Sequence, residues 1–323
     1  MTDLVPAEGP ILAEIHAATY EIWNEGLDAA SYERYYTAQL LTPWGRQRLS
    51  RMAIVDGRSV LASAKAYRFD ASLDGRAVRV LGIGAVFTQP AHRGRGHARA
   101  LIEQILERAA SDGVDLALLF SEIDPQYYVR LGFAPLDTIE LELLVIEDPR
   151  RGAPATLVRA GEDRDLADIA AMNAARATPF RFHLDRNRDL VHYAIAKKRL
   201  LAGLGRAGVR EVRFFIAEEG ASSVAYVVIV AGASGWTVEE AGDRDPTGAR
   251  VGAILQALIA RDPAEQRPTI KGWLPSGFRP PQIAIVSEGR PRDVMMIKPL
   301  TAKGTLQSPL AASDILYWHS DVF

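Results

Sequence analysis

Hydrophobic and polar positions in the first half of the chain alternate at two periods, first that of helices and then that of strands. Apolar residues at helical spacing predict helices over residues 11–26 and 27–41. Short apolar runs after them predict strands over residues 51–55, 59–69 and 78–87. Asp56-Gly57 and Asp74-Gly75 separate these strands and are typical of hairpin turns. A helix from Ala98, a strand over 115–120 and a closing strand over 139–146 complete this half.

The second half repeats the pattern more weakly. Strands are predicted over residues 156–160, 212–217, 223–231 and 236–241. Helices are predicted over residues 163–176, 187–204 and 249–260. The polar segment from Glu147 to Pro154 contains two prolines and is typical of a linker. With 323 residues, the chain is expected to form two domains, 1–146 and 156–323, joined by a linker at 147–155.

Composition narrows the class of protein. Hydrophobic residues make up 48% and charged residues 24%, as in an ordinary globular protein, and the net charge of −2 argues against a nucleic-acid partner. No apolar run has the roughly 18 residues of a membrane span, and the N-terminus lacks a signal pattern, so a cytoplasmic location without membrane contact is expected. The chain has no cysteine, and its six histidines show no metal-binding spacing.

The joint between the third strand and the following helix carries the most specific chemistry. It holds the basic, glycine-rich loop 92–97. Backbone N–H groups at a helix N-terminus, the helix dipole and flanking arginines together form a site for a diphosphate. The glycine spacing of a dinucleotide-binding fold and the Walker loop are both absent from the sequence.

Arg93, Gly96 and Ala98 match the pattern R-x-x-G-x-[G/A], and the segment 127–133 reads Y-Y-V-R-L-G-F. In this order the two motifs resemble the GNAT superfamily of N-acetyltransferases. The resemblance implies an α+β fold with a mixed sheet, splayed between two parallel strands where acetyl-CoA binds. No metal is expected, because the histidines lack metal-binding spacing. It also implies the residues that hold acetyl-CoA, which are Val86, Phe87, Thr88, Arg93, Gly94, Arg95, Gly96, His97 and Ala98.

The same resemblance implies roles in catalysis. Tyr128 aligns with the tyrosine that protonates the departing thiolate, and Tyr127 takes the position of a packed aromatic residue. The general base is left open between Glu122, the terminal carboxylate of Phe323 and a water molecule. The apolar C-terminal segment is compatible with a tail that returns to the active site.

In the second half, the corresponding joint over residues 242–249 is acidic and lacks the glycine-rich pattern. Its carboxylates would repel a diphosphate. The sequence therefore favours a tandem chain with one working site and a degenerate GNAT-like copy, with an unrelated α+β domain as the alternative.

The segments G-I-G-A-V-F-T-Q-P-A-H-R-G-R-G-H-A and L-L-F-S-E-I-D-P-Q-Y-Y, together with Trp23, resemble fungal lysine acetyltransferases, and this resemblance covers about residues 10–140. The tandem plan resembles the enhanced-intracellular-survival acetyltransferases. These resemblances imply transfer of an acetyl group to the primary amine of a small molecule, with lysine or a related amino acid among the acceptors. A protein or aminoglycoside N-acetyltransferase and a non-catalytic acyl-CoA sensor are the alternatives. The oligomeric state and the acyl-chain length are left open.

Overall fold

A computed structural model describes residues 3–57, 59–146 and 157–323. The predicted linker, residues 147–155, lies outside these ranges. The chain divides into two compact units. The first unit comprises Met1–Thr138, Arg292–Ala311 and Phe323, and the second comprises Ile139–Pro291 and Ala312–Val322.

The described residues form helices and strands whose bounds follow. The helices are α1 Gly9–Trp23, α2 Ala29–Leu41, α3 Pro43–Arg48, α4 His97–Ser111, α5 Gln126–Val129, α6 Leu166–Ala177, α7 Arg188–Leu204 and α8 Ala249–Ile259. The strands are β1 Asp3–Pro6, β2 Leu49–Asp56, β3 Ser59–Leu73, β4 Arg76–Thr88, β5 Leu116–Ser121, β6 Ala134–Pro135, β7 Glu140–Val145, β8 Leu157–Ala160, β9 Phe182–Leu184, β10 Arg210–Glu219, β11 Ser222–Gly232, β12 Gly235–Asp243, β13 Ile270–Gly272, β14 Ile283–Gly289, β15 Val294–Pro299 and β16 Ile315–Leu316.

The main sheet of the first unit has the strand order β1-β2-β3-β4-β5-β15-β6. Strands β2, β3 and β4 are antiparallel hairpin neighbours, as the two turn signals predicted. Asp74 and Gly75 have φ values of 49° and 74°, the left-handed pair that a tight hairpin turn requires. β1 and α3 were not predicted from the sequence.

Helices cover both faces of this sheet. Successive side chains of a strand point to opposite faces, and apolar side chains occupy both faces here. On one face, Ile15 of α1 packs against Ala53 and Val55. On the other, α4 buries Leu101 and Ile105 in a second cluster with other residues of the sheet.

The sheet opens between its two parallel strands. β4 and β5 pair from Val80↔Leu116 to Ile83↔Leu119, and no further pair is formed, although β4 continues to Thr88. Beyond this point β4 contains an irregularity, since Lys65 of β3 pairs with Gly84 whereas Ser63 pairs with Phe87. Ala85, inside this bulge, has a φ of 48°. The predicted splay is therefore confirmed, and it falls just before the glycine-rich loop.

The strand over residues 139–146 takes a different place from the one expected. The sequence predicts that it closes the first sheet, but β7 pairs with β13 and β14 in the second unit. β15 fills the place beside β5 in the first sheet. Alternating burial along β7 identifies a strand, but periodicity does not say which sheet a strand joins.

The second unit repeats the element order of the first. Its sheet runs β14-β7-β13-β12-β11-β10-β8, and helices α6 and α7 lie between β8 and β10 in the chain. As in the first unit, three antiparallel strands lead into a helix, α8, and then into a strand that pairs in parallel, β13 with β12. The sequence expectation of a mixed-sheet fold with a second GNAT-like copy agrees with this topology.

Candidate active site

The loop before α4 exposes an uncapped helix N-terminus. Gly94 and Gly96 have φ values of 75° and 82°, which glycine adopts without strain. Gly96 is the N-cap of α4, and no side chain caps the helix. The first turn contains no acidic residue. Its N–H groups and the helix dipole are therefore available to an anion.

A surface cavity of about 380 Å³ lies against this N-terminus. It is lined by six of the nine predicted cofactor residues, namely Thr88, Arg93, Gly94, Gly96, His97 and Ala98. The other basic residues of the lining were not among the predicted cofactor residues. They are His92, the first residue of the predicted loop, Arg99 and Arg130. The Nε of Arg93 donates a hydrogen bond of 3.3 Å to the carbonyl of Thr88, so this guanidinium also links the loop to the end of β4.

Val86, Phe87 and Arg95 do not line this cavity. Val86 and Phe87 lie in β4, past the last β4–β5 pair. Phe87 is buried, and its ring packs edge-on against Trp23 with 6.2 Å between the ring centres. The main chain of this segment is the part of β4 that faces the opening of the sheet.

Two adjacent tyrosines follow on α5, and their burial is the reverse of the expectation. Tyr127, expected to be the packed residue, is half-buried and lines the cavity beside the loop. Tyr128 is buried in the core cluster, with its ring 6.1 Å from that of Phe133. Burial, with smaller effects from Tyr127 and Glu122, raises the pKa of Tyr128 to about 12. The Tyr128 phenol is therefore protonated at neutral pH.

Glu122 lies at the surface. Its side chain is 56% exposed, and it stands 3.9 Å from the guanidinium of Arg292.

Phe323 lies in the first unit, against β4. A Cβ placed on Gly84 would come within 2.9 Å of the main-chain oxygen of Phe323, and one on Gly82 within 2.6 Å of its ring. The ring packs among Tyr67, Phe69 and Phe120, with ring centres 4.6 to 5.4 Å apart. The two glycines of β4 therefore make room for this residue beside the bulge.

The sequence reasoning missed a buried basic cluster on the same face of the sheet. Arg51 is 8% exposed and Lys65 is buried beside it, on neighbouring strands. Lys65 Nζ lies 3.8 Å from the ring centre of Tyr36, and Arg51 Cζ lies 5.8 Å from it. Burial, with Arg51 and Lys65, lowers the pKa of His16 to about 4. Basic residues at single positions of two strands carry no sequence signal until the strand register is known.

The equivalent helix N-terminus of the second unit is already occupied by a carboxylate. Gly248 is the N-cap of α8 and has a φ of 79°, close to that of Gly96. Here Asp243 accepts hydrogen bonds from the backbone N–H groups of Asp245 and Arg250, at 2.9 and 2.8 Å. The chain's own acid takes the position that an external anion would need.

Two further observations concern metal ligands and membrane-spanning helices. Among the residues that the structure describes, no group of three or more metal-ligating side chains is arranged to hold an ion. None of the described helices is long and apolar enough to cross a membrane.

Comparison with known proteins identifies the class. Residues 14–136 match the family model "Acetyltransferase (GNAT) domain". This range includes the splayed strands, the glycine-rich loop and both tyrosines. Residues 14–136 are thus similar to GNAT acetyltransferase domains, and this match indicates an acyltransferase.

Solved structures with the same fold cover nearly the whole chain. A GCN5-related N-acetyltransferase from Anabaena variabilis is 13% identical, with a TM-score of 0.68 over 93% of this chain and 73% of that one. A probable N-acyltransferase from Enterococcus faecalis is 14% identical, with a TM-score of 0.66 over 93% and 72%. Eis1 from Mycobacterium abscessus is 16% identical, with a TM-score of 0.56 over 93% and 74%. A search of curated proteins found no match to this sequence.

Proposed function

We propose that this protein transfers an acetyl group from acetyl-CoA to the primary amine of a small molecule, with lysine or a related amino acid among its acceptors. The uncapped N-terminus of α4 carries the proposal. It combines two left-handed glycines, a cavity and basic side chains at the point where β4 and β5 separate. The occupied N-terminus of α8 supports a single coenzyme site, in the first unit.

In this proposal the glycine-rich loop binds the diphosphate of the coenzyme, and β4 orients its acyl-carrying arm. The N–H groups of residues 96–98 and the guanidinium groups of Arg93 and Arg95 bind the diphosphate of the coenzyme, which supplies the activated acetyl group. The main chain of Val86, Phe87 and Thr88 lies past the last β4–β5 pair and binds the pantetheine arm, and an N–H group there stabilises negative charge on the acetyl oxygen.

Tyr128 is the proposed acid. Its pKa of about 12 keeps the phenol protonated at the pH of the reaction, so its proton is available to a thiolate leaving group. Its burial also places the hydroxyl in surroundings where a transferred proton is not exchanged with bulk water.

Two carboxylates are candidates for the base, and position favours one of them. Phe323 has its main-chain oxygen beside Gly84, next to the bulge, whereas Glu122 is at the surface. A free α-carboxylate at residue 323 would therefore lie closer to the acyl-transfer point on β4. This role requires that residue 323 ends the working protein, and adding one alanine after it tests the requirement.

The proposal is tested by incubating the full chain with acetyl-CoA and a panel of amines, and by following free thiol release. The panel contains amino acids, diamines, an aminoglycoside and a lysine-containing peptide. Turnover of small amines supports the proposal, and selective turnover of the peptide or the aminoglycoside would instead identify those acceptors. Tight coenzyme binding without turnover of any amine would favour a sensor.

A pair of loop variants links any activity to the site. Arg93→Ala and Arg95→Ala should weaken coenzyme binding by about tenfold each, the effect of one lost charged hydrogen bond. Arg244→Ala, on the corresponding acidic joint of the second unit, is the control and should leave coenzyme binding unchanged. An equal effect of all three would contradict the location of the site.

A further inference from the structure

Arg51 is a buried cation without a carboxylate partner. It is 8% exposed, and none of its three guanidinium nitrogens has a hydrogen-bond acceptor among the described residues. Burying an ion without acceptors is among the costliest arrangements in a folded protein. Its contact with the Tyr36 ring offsets part of this cost but satisfies none of its donors.

The surroundings of Arg51 concentrate positive charge. Lys65 stands over the same Tyr36 ring, and burial together with both Arg51 and Lys65 lowers the pKa of His16 to about 4, so that this ring is neutral at neutral pH. The groups that act electrostatically on Arg51 are Tyr36, Tyr32 and Tyr67, and none of them is a carboxylate. Burial lowers the pKa of Arg51, which is the response of a cation that lacks a counter-charge.

The strand register connects this cluster to the acyl-transfer point. Arg51 pairs with Lys65, and Lys65 pairs with Gly84. Residues directly opposite one another in antiparallel strands share a face. Three residues in one row span two strand spacings, about 10 Å. The buried cation therefore lies on the same face as the bulge of β4, at a distance that a small organic molecule bridges.

From this geometry we infer that Arg51 binds a carboxylate on the acceptor, so that the substrates are amines that also carry a carboxylate group. The inference rests on the proposed function and narrows its substrate class to amino acids. A planar guanidinium fork matches the two coplanar oxygens of a carboxylate. The same cluster repels acceptors with several positive charges, such as diamines and aminoglycosides.

The test uses pairs of amines that differ only by the carboxylate. L-lysine is compared with 1,5-diaminopentane, and L-leucine with 3-methylbutylamine. The wild-type protein should favour the carboxylated member of at least one pair by about 30-fold in kcat/KM, the effect of a charged hydrogen-bonded contact. Equal turnover within both pairs, or preference for the diamine, would overturn the inference while leaving the acetyltransferase function intact.

Two variants assign the preference to a residue. Arg51→Met should reduce the preference to less than about threefold, since only the lost charge pair distinguishes the members. The control is Arg68→Met, which removes an exposed arginine of β3 that is paired with Asp112 and should retain the full preference. A preference that survives Arg51→Met would contradict the role of Arg51.

A binding measurement separates this inference from catalysis. 6-Acetamidohexanoate resembles a reaction product with a carboxylate, and N-pentylacetamide is the same molecule without it. The first should raise the Tm of the wild-type protein and not that of Arg51→Met, and the second should affect both equally. Absence of this difference overturns the inference, whether or not any amine is acetylated. If O-phosphoethanolamine is a better acceptor than β-alanine, the recognised group is a phosphate and not a carboxylate, and the inference is also overturned.

Discussion

At the scale of single residues, the two neighbouring tyrosines of α5 allow a matched experiment. Tyr128→Phe removes the proposed acid and should lower kcat by about 100-fold without changing the affinity for acetyl-CoA. Tyr127→Phe, which removes a hydroxyl at the cavity, should change kcat by less than about threefold. Steady-state kinetics and coenzyme titration of both variants give the comparison. Equal loss in the two would remove Tyr128 from the mechanism.

The raised pKa of Tyr128 also predicts the shape of the pH profile. With a pKa of about 12, its phenol stays protonated through pH 10. The rate should therefore not decline between pH 8 and 10 through loss of this proton. A decline in that range that disappears in Tyr128→Phe would show a pKa well below 12.

His16 predicts how stability depends on pH. Its pKa is lowered to about 4 in the folded protein, below the ordinary 6.5. Between these values the unfolded chain binds a proton that the folded chain does not, so stability is lost as pH falls from 6.5 to 4. The full shift corresponds to about 3 kcal/mol. Urea unfolding of His16→Phe should show a pH dependence that is flatter by that amount, and an unchanged slope would contradict the burial of a neutral ring.

Individual residues differ in how far the sequence predicts them. Arg93, Gly96 and Tyr128 belong to motifs of residues close together in the chain, and such motifs can be recognised from the sequence. The exposures of Tyr127 and Tyr128 depend on how one turn of helix meets the core, and the expectation about them was wrong. Arg51 was not predicted as a site residue, because its position relative to the acyl-transfer point depends on its strand register with Lys65 and Gly84.

At the scale of elements, α4 and α8 begin in the same way and differ in what lies at their N-termini. Ala98→Glu would place a carboxylate in the first turn of α4, as Asp243 does beside α8. It should weaken coenzyme binding by at least about tenfold through repulsion, yet stabilise the free protein by about 0.5 kcal/mol through the helix dipole.

Ala98→Gln, of the same size and neutral, separates charge from bulk. It should weaken coenzyme binding less than Ala98→Glu and leave the Tm near that of the wild-type protein. Isothermal titration with coenzyme A and thermal unfolding measure both effects. Equal loss of affinity in the two variants would show that α4 does not bind a charged group.

Elements were predicted well where periodicity and turns defined them. The hairpins β2-β3-β4, helix α4 and the helices of the second unit all lie where hydrophobic spacing and turn residues placed them. Neither β7 nor β15 could be assigned to its sheet from sequence, because pairing partners far apart in the chain leave no local pattern.

At the scale of the whole molecule, the first unit is assembled from separated segments of the chain. Residues 1–146 as a fragment lack β15, whose Met295, Met296 and Ile297 are all buried. This fragment should show no cooperative unfolding transition and should bind hydrophobic dyes, because the edge of β5 is left uncovered.

A second fragment provides the control. Leu136 donates a backbone hydrogen bond of 2.8 Å to Met295, so residue 138 can be joined to residue 292 through a short Gly/Ser linker. Residues 1–138 joined in this way to 292–311 should unfold cooperatively in urea. Cooperative folding of the 1–146 fragment would show that β15 is dispensable.

The separation of β6 from β15 has a consequence during protein synthesis. β15 begins at Val294, 159 residues after β6 ends at Pro135. At 5–20 residues per second, the ribosome needs roughly 8 to 30 s to make this stretch. For that time the nascent first sheet has an open edge at β5, so the cell must shield it, and we expect ribosome-associated chaperones to hold this chain until residue 299 has emerged.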